Sequence, residues 1–272
     1  KTEMSLPLMS AAIVGGAFFG DNLSFISDTT IVATQSQGCK ANDKFKYNFF
    51  LVLPAAVIVF IIYLIMGQAC QEVVADTVLW WKIIPYATVL ITAALGMNVI
   101  LVLLIGNILT GIVGIADGSY TFMQWTDSLT TGIMGMSELI LISMMAGGVF
   151  ALITKQGVME RIVELISRKI RTRKGAELSL AILVGVVNVL TANNTVAILS
   201  VGDIAKNISK RYAIDPRRSA SILDTTSCAV QGILPYGAQL LMASSLAGIS
   251  AMSIIPYLYY PLLIGIIVLA SI

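Results

Sequence analysis

Two short polar runs interrupt apolar stretches of this chain, and both carry the residue types that bind small ions. The first is Gly20-Asp21-Asn22-Leu23-Ser24-Phe25-Ile26-Ser27-Asp28-Thr29-Thr30; the second is Asn188-Val189-Leu190-Thr191-Ala192-Asn193-Asn194-Thr195. Laid over each other, Ser27-Asp28-Thr29 falls on Asn193-Asn194-Thr195, and Asn22 falls on Asn188. Side-chain oxygens of Ser, Thr, Asn and Asp, with backbone carbonyls, are what a hard cation takes as ligands. Helix N-termini opened at such interruptions attract anions. The pair therefore suits a cation, a carboxylate or both. Helix capping alone explains amides and hydroxyls at a helix start, but it does not require matching clusters in two halves of a chain.

The carboxylates narrow the chemistry. Asp21 and Asp28 flank the first run, and Asp224 stands in Ser221-Ile222-Leu223-Asp224-Thr225-Thr226-Ser227. Ionisable residues inside apolar segments are functional candidates by default. The plain alternatives are an N-cap for Asp21 and an interfacial salt bridge from Asp224 to Arg217 or Arg218. Glu138 reads as interfacial. Asp28 is expected to be buried at its tip and to hold sodium and a proton in turn, so Asp28→Asn is expected to abolish exchange. The candidate sodium ligands are Asp21, Asn22, Ser24, Ser27, Asp28, Thr29, Asn193, Asn194, Thr195, Asp224, Ser227 and Gln231.

The elements that position these residues are membrane helices. Hydrophobic residues make up 57% of the chain and charged residues only 12%, with a mean hydropathy of +0.88. Soluble domains carry about a quarter charged residues. Runs such as Phe49 to Met66 and Ile83 to Ile105 have the length that a bilayer crossing needs. No basic-aromatic patch points to nucleic acid. The chain has no histidine, which excludes a Ser-His-Asp triad and an HExxH zinc site. Cys39, Cys70 and Cys228 show no CxxC spacing. An intramembrane aspartyl protease needs Gly-x-Gly-Asp, and Phe18-Phe19-Gly20-Asp21 lacks the first glycine. The chain reads as a transporter that needs no cofactor, with sodium and protons as cargo.

Loop charges set the expected topology. Residues 154–175 hold Lys155, Arg161, Arg168, Lys169, Arg171, Arg173 and Lys174 against Glu160 and Glu164. Val158, Ile162, Leu165, Ile166 and Ile170 recur there at helical spacing, as in a basic amphipathic helix on a membrane surface. Loop 206–218 is basic again, with Lys206, Lys210, Arg211, Arg217 and Arg218. The positive-inside rule puts both loops in the cytoplasm. Between them, 176–205 is too short for two full spans and suits a re-entrant hairpin with the polar run at its tip. Three expected crossings (47–67, 83–105 and 133–153) separate loop 39–46 from 154–175, which places Lys40, Lys44 and Lys46 outside. If 6–38 is also a hairpin, it enters from the opposite face, and the two form an inverted-topology repeat. Proline interrupts the crossing after each hairpin, at Pro54 and at Gly232-Ile233-Leu234-Pro235-Tyr236-Gly237 within 219–248.

The runs from Gly20 to Thr30, from Asp215-Pro216-Arg217-Arg218 to Asp224, and Gln231-Gly232-Ile233-Leu234-Pro235-Tyr236-Gly237-Ala238-Gln239 resemble the NhaC family of sodium/proton antiporters. The resemblance implies inverted repeats, two re-entrant hairpins with Ser-Asn-Thr-like tips and a homodimeric scaffold. It also admits sodium- and proton-coupled exchange of small organic acids such as malate and lactate. Here the tips read Ser-Asp-Thr and Asn-Asn-Thr, so Asp28 departs from the family form. The expected fold is an all-α integral membrane protein with broken helices. It would be a multi-pass protein of the inner cell membrane, in contact with lipid and part of a longer chain. The first repeat would span 1–131, and the second 132–272, with its last crossing at 252–272.

Overall fold

The structure is a computed structural model and describes residues 5–24, 27–67, 79–95, 97–167 and 170–272. Phe25, Ile26, Cys70, Glu72, Asp76, Arg168 and Lys169 lie outside the described residues, as do the side chains of Glu138 and Glu160. The described residues form helices joined by turns, without a strand among them. In chain order these are α1 (Leu6–Asn22), α2 (Asp28–Gln37), α3 (Ala41–Gly67), α4 (Ile84–Ala94), α5 (Val99–Ala116), α6 (Phe122–Gly135) and α7 (Ser137–Lys155). They continue with α8 (Val158–Ser167), α9 (Arg173–Thr191), α10 (Asn194–Arg211), α11 (Pro216–Ile233), α12 (Ala238–Ala247), α13 (Ala251–Ile254) and α14 (Tyr259–Ser271). By length and composition, Ala41–Gly67, Phe122–Lys155 and Arg173–Thr191 are each long and apolar enough to cross a membrane. Phe50, Phe60 and Ile65 of α3 and Ile266 of α14 are exposed, as expected of surfaces that face lipid.

The chain divides into two compact units, Gln71–Ser137 and the remainder. In the smaller one, α4 and α5 pack together. Asn98 caps α5 by accepting a hydrogen bond from the Ile100 amide at 2.9 Å. The single crossing expected over 83–105 is therefore two helices.

The larger unit has two cores. One gathers Leu180, Val184 and Val187 of α9 with Ile198 and Val201 of α10 and Ile222 and Leu223 of α11. The other gathers Phe18 of α1, Val52 and Val59 of α3, Leu240 of α12 and Ile264 of α14. Helix α11 joins them, contributing Cys228 and Ala229 to the second. Its small buried residues, Ser219, Ser221, Thr225 and Ser227, let neighbours approach closely. Ile162 and Ile166 of the amphipathic α8 pack on the first core; this helix is shorter than the expected 154–175.

Two expectations about the backbone change. Helix α3 runs unbroken through Pro54, so the first crossing has no interruption there. By contrast, Leu234–Gly237 does break the second, between α11 and α12, and a 100° bend separates Pro216–Ala247 from Ala251–Tyr257. Helices α9 and α10 pack along each other as a hairpin, reversed at Ala192, which adopts a left-handed φ of 53°. Segment 6–38 is not such a hairpin. Helix α1 packs on α11, α12, α13 and α14, whereas α2 packs on α10 and α11, and the two touch each other far less than α9 and α10 do. This segment is a broken helix that runs on.

Its far end is at odds with placing loop 39–46 and the basic loop 206–218 on opposite faces. The Cys39 thiol lies 3.8 Å from the Pro216 carbonyl, and the Arg218 guanidinium sits 5.9 Å over the Tyr47 ring. Loop 39–46 and loop 212–218 therefore share one end of this unit. Residues 41–46 are already the first turns of α3, and Lys44 is buried rather than external.

Candidate functional site

Three helix interruptions meet inside the larger unit. They lie between α1 and α2, between α9 and α10, and between α11 and α12. The first two start their second helix in the same register of the shared motif: Ser27 is the N-cap of α2 and Asn193 the N-cap of α10. Asp28 accepts a hydrogen bond from the Thr29 amide at 2.9 Å, and Asn194 accepts one from the Thr195 amide at 3.1 Å. The two tips touch, with Thr195 Oγ1 donating to Asp28 Oδ2 at 2.6 Å. The third break joins them through Gln231, whose Nε2 donates to the Ala192 carbonyl at 2.9 Å. Close helix contact makes this possible. A Cβ on Gly202 of α10 would stand 2.7 Å from Ser36 Cβ of α2, so only glycine fits there without a shift.

The polar centre continues below the tips. Ser27 Oγ donates to Asp21 Oδ1 at 3.1 Å and lies 2.9 Å from Thr29 Oγ1. The Ser24 hydroxyl accepts from the Ser27 amide at 3.0 Å. Asn22 Nδ2 donates to Tyr260 OH at 2.9 Å, and the Asn22 carbonyl accepts from Asn48 Nδ2 at 2.9 Å. Asp224 is fully buried and pairs with Lys44, Nζ to Oδ2 at 2.5 Å. Ser227 Oγ donates to the Asp224 carbonyl, and Asn188 Nδ2 donates to the Ser227 carbonyl. Among the described residues, Asn22 Oδ1, Asn48 Oδ1, Asn188 Oδ1, Asp224 Oδ1 and Gln231 Oε1 are buried without a hydrogen-bond partner. Unpaired buried acceptors are costly and rare.

A model of the Na+/H+ antiporter family matches residues 1–68 and 71–272. The chain belongs to that family. It is 23% identical to the Malate-2H(+)/Na(+)-lactate antiporter of Bacillus subtilis, over 93% of this chain and 61% of that protein. It is 25% identical to the Na(+)/H(+) antiporter NhaC of Alkalihalophilus pseudofirmus, over 93% of this chain and 62% of that protein. The Bacillus subtilis Na(+)/H(+) antiporter NhaC is 23% identical over 92% of this chain and 63% of its own length. The chain thus spans about three fifths of the relatives it matches. No solved structure matches it significantly. The NhaC-named relatives agree with the resemblance read from the motifs.

For a member of the Na+/H+ antiporter family, the placing of each candidate matters. Asn22, Thr29, Asn194, Asp224, Ser227 and Gln231 are buried, and Asp21, Ser24, Ser27 and Thr195 are half-buried. Asn193 and Asp28 are exposed. That corrects the expectation that Asp28 is held away from water: as the first residue of α2 it turns its carboxylate along the rim to Thr195. The salt bridge weighed for Asp224 is made by neither arginine. Arg217 pairs with Asp215 and Arg218 with Glu177, at 2.5 and 2.9 Å.

Lys44, Asn48, Thr30 and Tyr260 were not among the sequence candidates. One signal was available for the first two. The buried face of α3 is Lys44, Asn48, Val52, Ala55 and Val59, so the charged residue and the amide extend an apolar stripe at helical spacing.

Proposed function

We propose that this chain carries the ion-exchange core of a sodium/proton antiporter in the inner cell membrane. The observation that carries the reading is the meeting of three helix interruptions around a buried carboxylate and bare acceptor oxygens. Sodium takes its ligands from Asp21, Asn22, Ser24, Ser27, Asp28, Thr29, Asn193, Asn194, Thr195, Asp224, Ser227 and Gln231. It needs a charged carboxylate, and a proton removes that charge, so the two ions compete for one place. Asp224 and Asp21 bear more of this competition than the exposed Asp28.

The finer architecture supports alternating access. Helices α9 and α10 form a re-entrant hairpin from the basic end. Its tip reaches Gln231, about half way along the broken rod 216–247. The broken helices α1–α2 and α11–α12 run in opposite senses, which supports inverted repeats in the halves 1–131 and 132–272. The basic end, now including Lys40 and Lys46, faces the cytoplasm. Lipid surrounds the apolar outer faces, and the family resemblance supports a homodimer.

A second reading is coupled exchange of a small organic acid such as malate or lactate. It draws on the first of the relatives named above and on the N-termini of α2 and α10, which face the site and favour a carboxylate. Transport by the full-length protein in proteoliposomes separates the two. Sodium-driven proton flux without an organic acid supports sodium/proton exchange. A strict requirement for malate or lactate supports the second reading.

A further inference from the structure

The buried centre of the larger unit already holds a cation, supplied by the chain itself. Lys44 Nζ lies 2.5 Å from Asp224 Oδ2 and donates to Thr30 Oγ1 at 2.6 Å and to the Asn22 carbonyl at 3.4 Å. Both side chains of the pair are wholly enclosed. An ammonium has three donors, and these three acceptors satisfy it. Its surroundings are not satisfied. Asp224 Oδ1, Asn22 Oδ1 and Asn48 Oδ1 are buried and lack a donor. Asn48 turns its amide nitrogen to the Asn22 carbonyl and to Asp224 Oδ2, which leaves its own oxygen bare.

A structural ion pair does not call for this arrangement. Such a pair is stable when hydrogen bonds satisfy its remaining lone pairs, and here one carboxylate oxygen and two amide oxygens next to the pair have nothing. Oxygens without donors are what a hard metal cation takes, since it brings no N–H geometry of its own.

We propose that Lys44 is a tethered stand-in for the transported cation. Its ammonium occupies Asp224 when no ion is bound. Sodium enters by displacing it toward Thr30 and the Asn22 carbonyl, and takes Asp224 together with the Asn22 and Asn48 side-chain oxygens. The inference rests on the sodium-exchange reading above and adds an internal competitor to it. Sodium affinity is then set by how often Lys44 leaves the carboxylate.

The test is sodium binding to the purified full-length protein at one fixed alkaline pH, by calorimetry with sodium chloride at constant ionic strength. If Lys44 holds Asp224 about nine-tenths of the time, Lys44→Gln raises sodium affinity about tenfold. Lys44→Arg keeps the charge but grips the carboxylate with a two-pronged fork, so sodium affinity falls. Wild-type affinity in a folded Lys44→Arg protein overturns the proposal, even if Lys44→Gln fails to fold. Asp224→Asn separates the two layers. Sodium/proton exchange that survives in Asp224→Asn sinks the site reading itself. Exchange lost in Asp224→Asn, with sodium affinity unmoved by either Lys44 substitution, sinks only the tethered cation.

Discussion

The same polar motif starts a helix twice in this molecule, and the chain does opposite things around it. At Asn193-Asn194-Thr195 the chain turns back. Ala192 takes a left-handed conformation, Asn193 caps α10, and α9 and α10 pack side by side. At Ser27-Asp28-Thr29 the chain runs on: α1 and α2 both lie on α11 but barely pack on each other, and α1 goes on to α12 while α2 goes on to α10. The motif sets where a half-helix begins, because capping acts over three or four residues. It does not set where that helix goes. The apolar neighbours decide that, and for α2 they are α10 and α11 rather than α1.

The largest expected effect is all-or-none. If α1–α2 runs on to the basic end, single cysteines in place of Lys46 and Arg217 are labelled from the same face of the membrane. Labelling from opposite faces would restore a hairpin at 6–38 and erase the contrast.

Next comes the burial of the carboxylates in the two regions. Asp224→Asn is expected to lower sodium-driven proton flux about 100-fold or more, since an amide at this enclosed position offers sodium no charge and takes up no proton. Asp28→Asn is expected to lower it about tenfold, because Asp28 is exposed and holds Thr195 through a hydrogen bond that an amide oxygen can also accept. A larger loss in Asp28→Asn than in Asp224→Asn would put the shared site at the tips after all.

A smaller effect separates the two caps. The Asn193 side chain accepts from the Val196 amide at 3.0 Å, so Asn193→Ala should cost about 1 kcal/mol of thermal stability. Ser27 makes no side-chain cap bond and instead reaches Asp21 and Thr29. Ser27→Ala should therefore cost less stability than Asn193→Ala. Equal costs in melting experiments would mean that the two starts are equivalent.

The smallest effect lies at the basic end, away from both tips. The Arg217 side chain beside Asp215 holds that carboxyl below its ordinary value. A lowered folded value contributes stability above the unfolded carboxylate range, and that stability is lost as pH falls through the folded value. Both groups are largely open to solvent, so screening keeps the gain small. Asp215→Asn should lower the melting temperature slightly at pH 7, by an amount that fades on acidification, and should leave sodium affinity unchanged. A change in sodium affinity would tie the basic end to the site.

Much of the site was legible because its signals are local. Asn193 and Ser27 could be placed as helix starts from residue type. Gly232 and Pro235 mark the break at Leu234–Gly237. The same logic misled at Pro54, an exposed position through which α3 continues, because a membrane helix can accommodate an isolated proline by local adjustment of its backbone. It also missed Asn98, a capping residue inside an apolar run, and so read 83–105 as one helix.

Composition together with apolar runs of spanning length determined the class, a helical membrane protein, since so few charges and such long runs fit a soluble core poorly. Local sequence determined where its helices break, because caps and prolines act on the nearest turn. Tertiary structure decided which residues the breaks enclose. Asn48 meets Asp224 across 176 positions, and Lys44 reaches the same carboxylate from a segment that reads as a charged loop. Near Lys44 the one mark of its burial is its helical register with Asn48 and Val52. The packing of α3 against α1, α2 and α11 withdraws it from water, and Asp224, Thr30 and the Asn22 carbonyl make that burial tolerable.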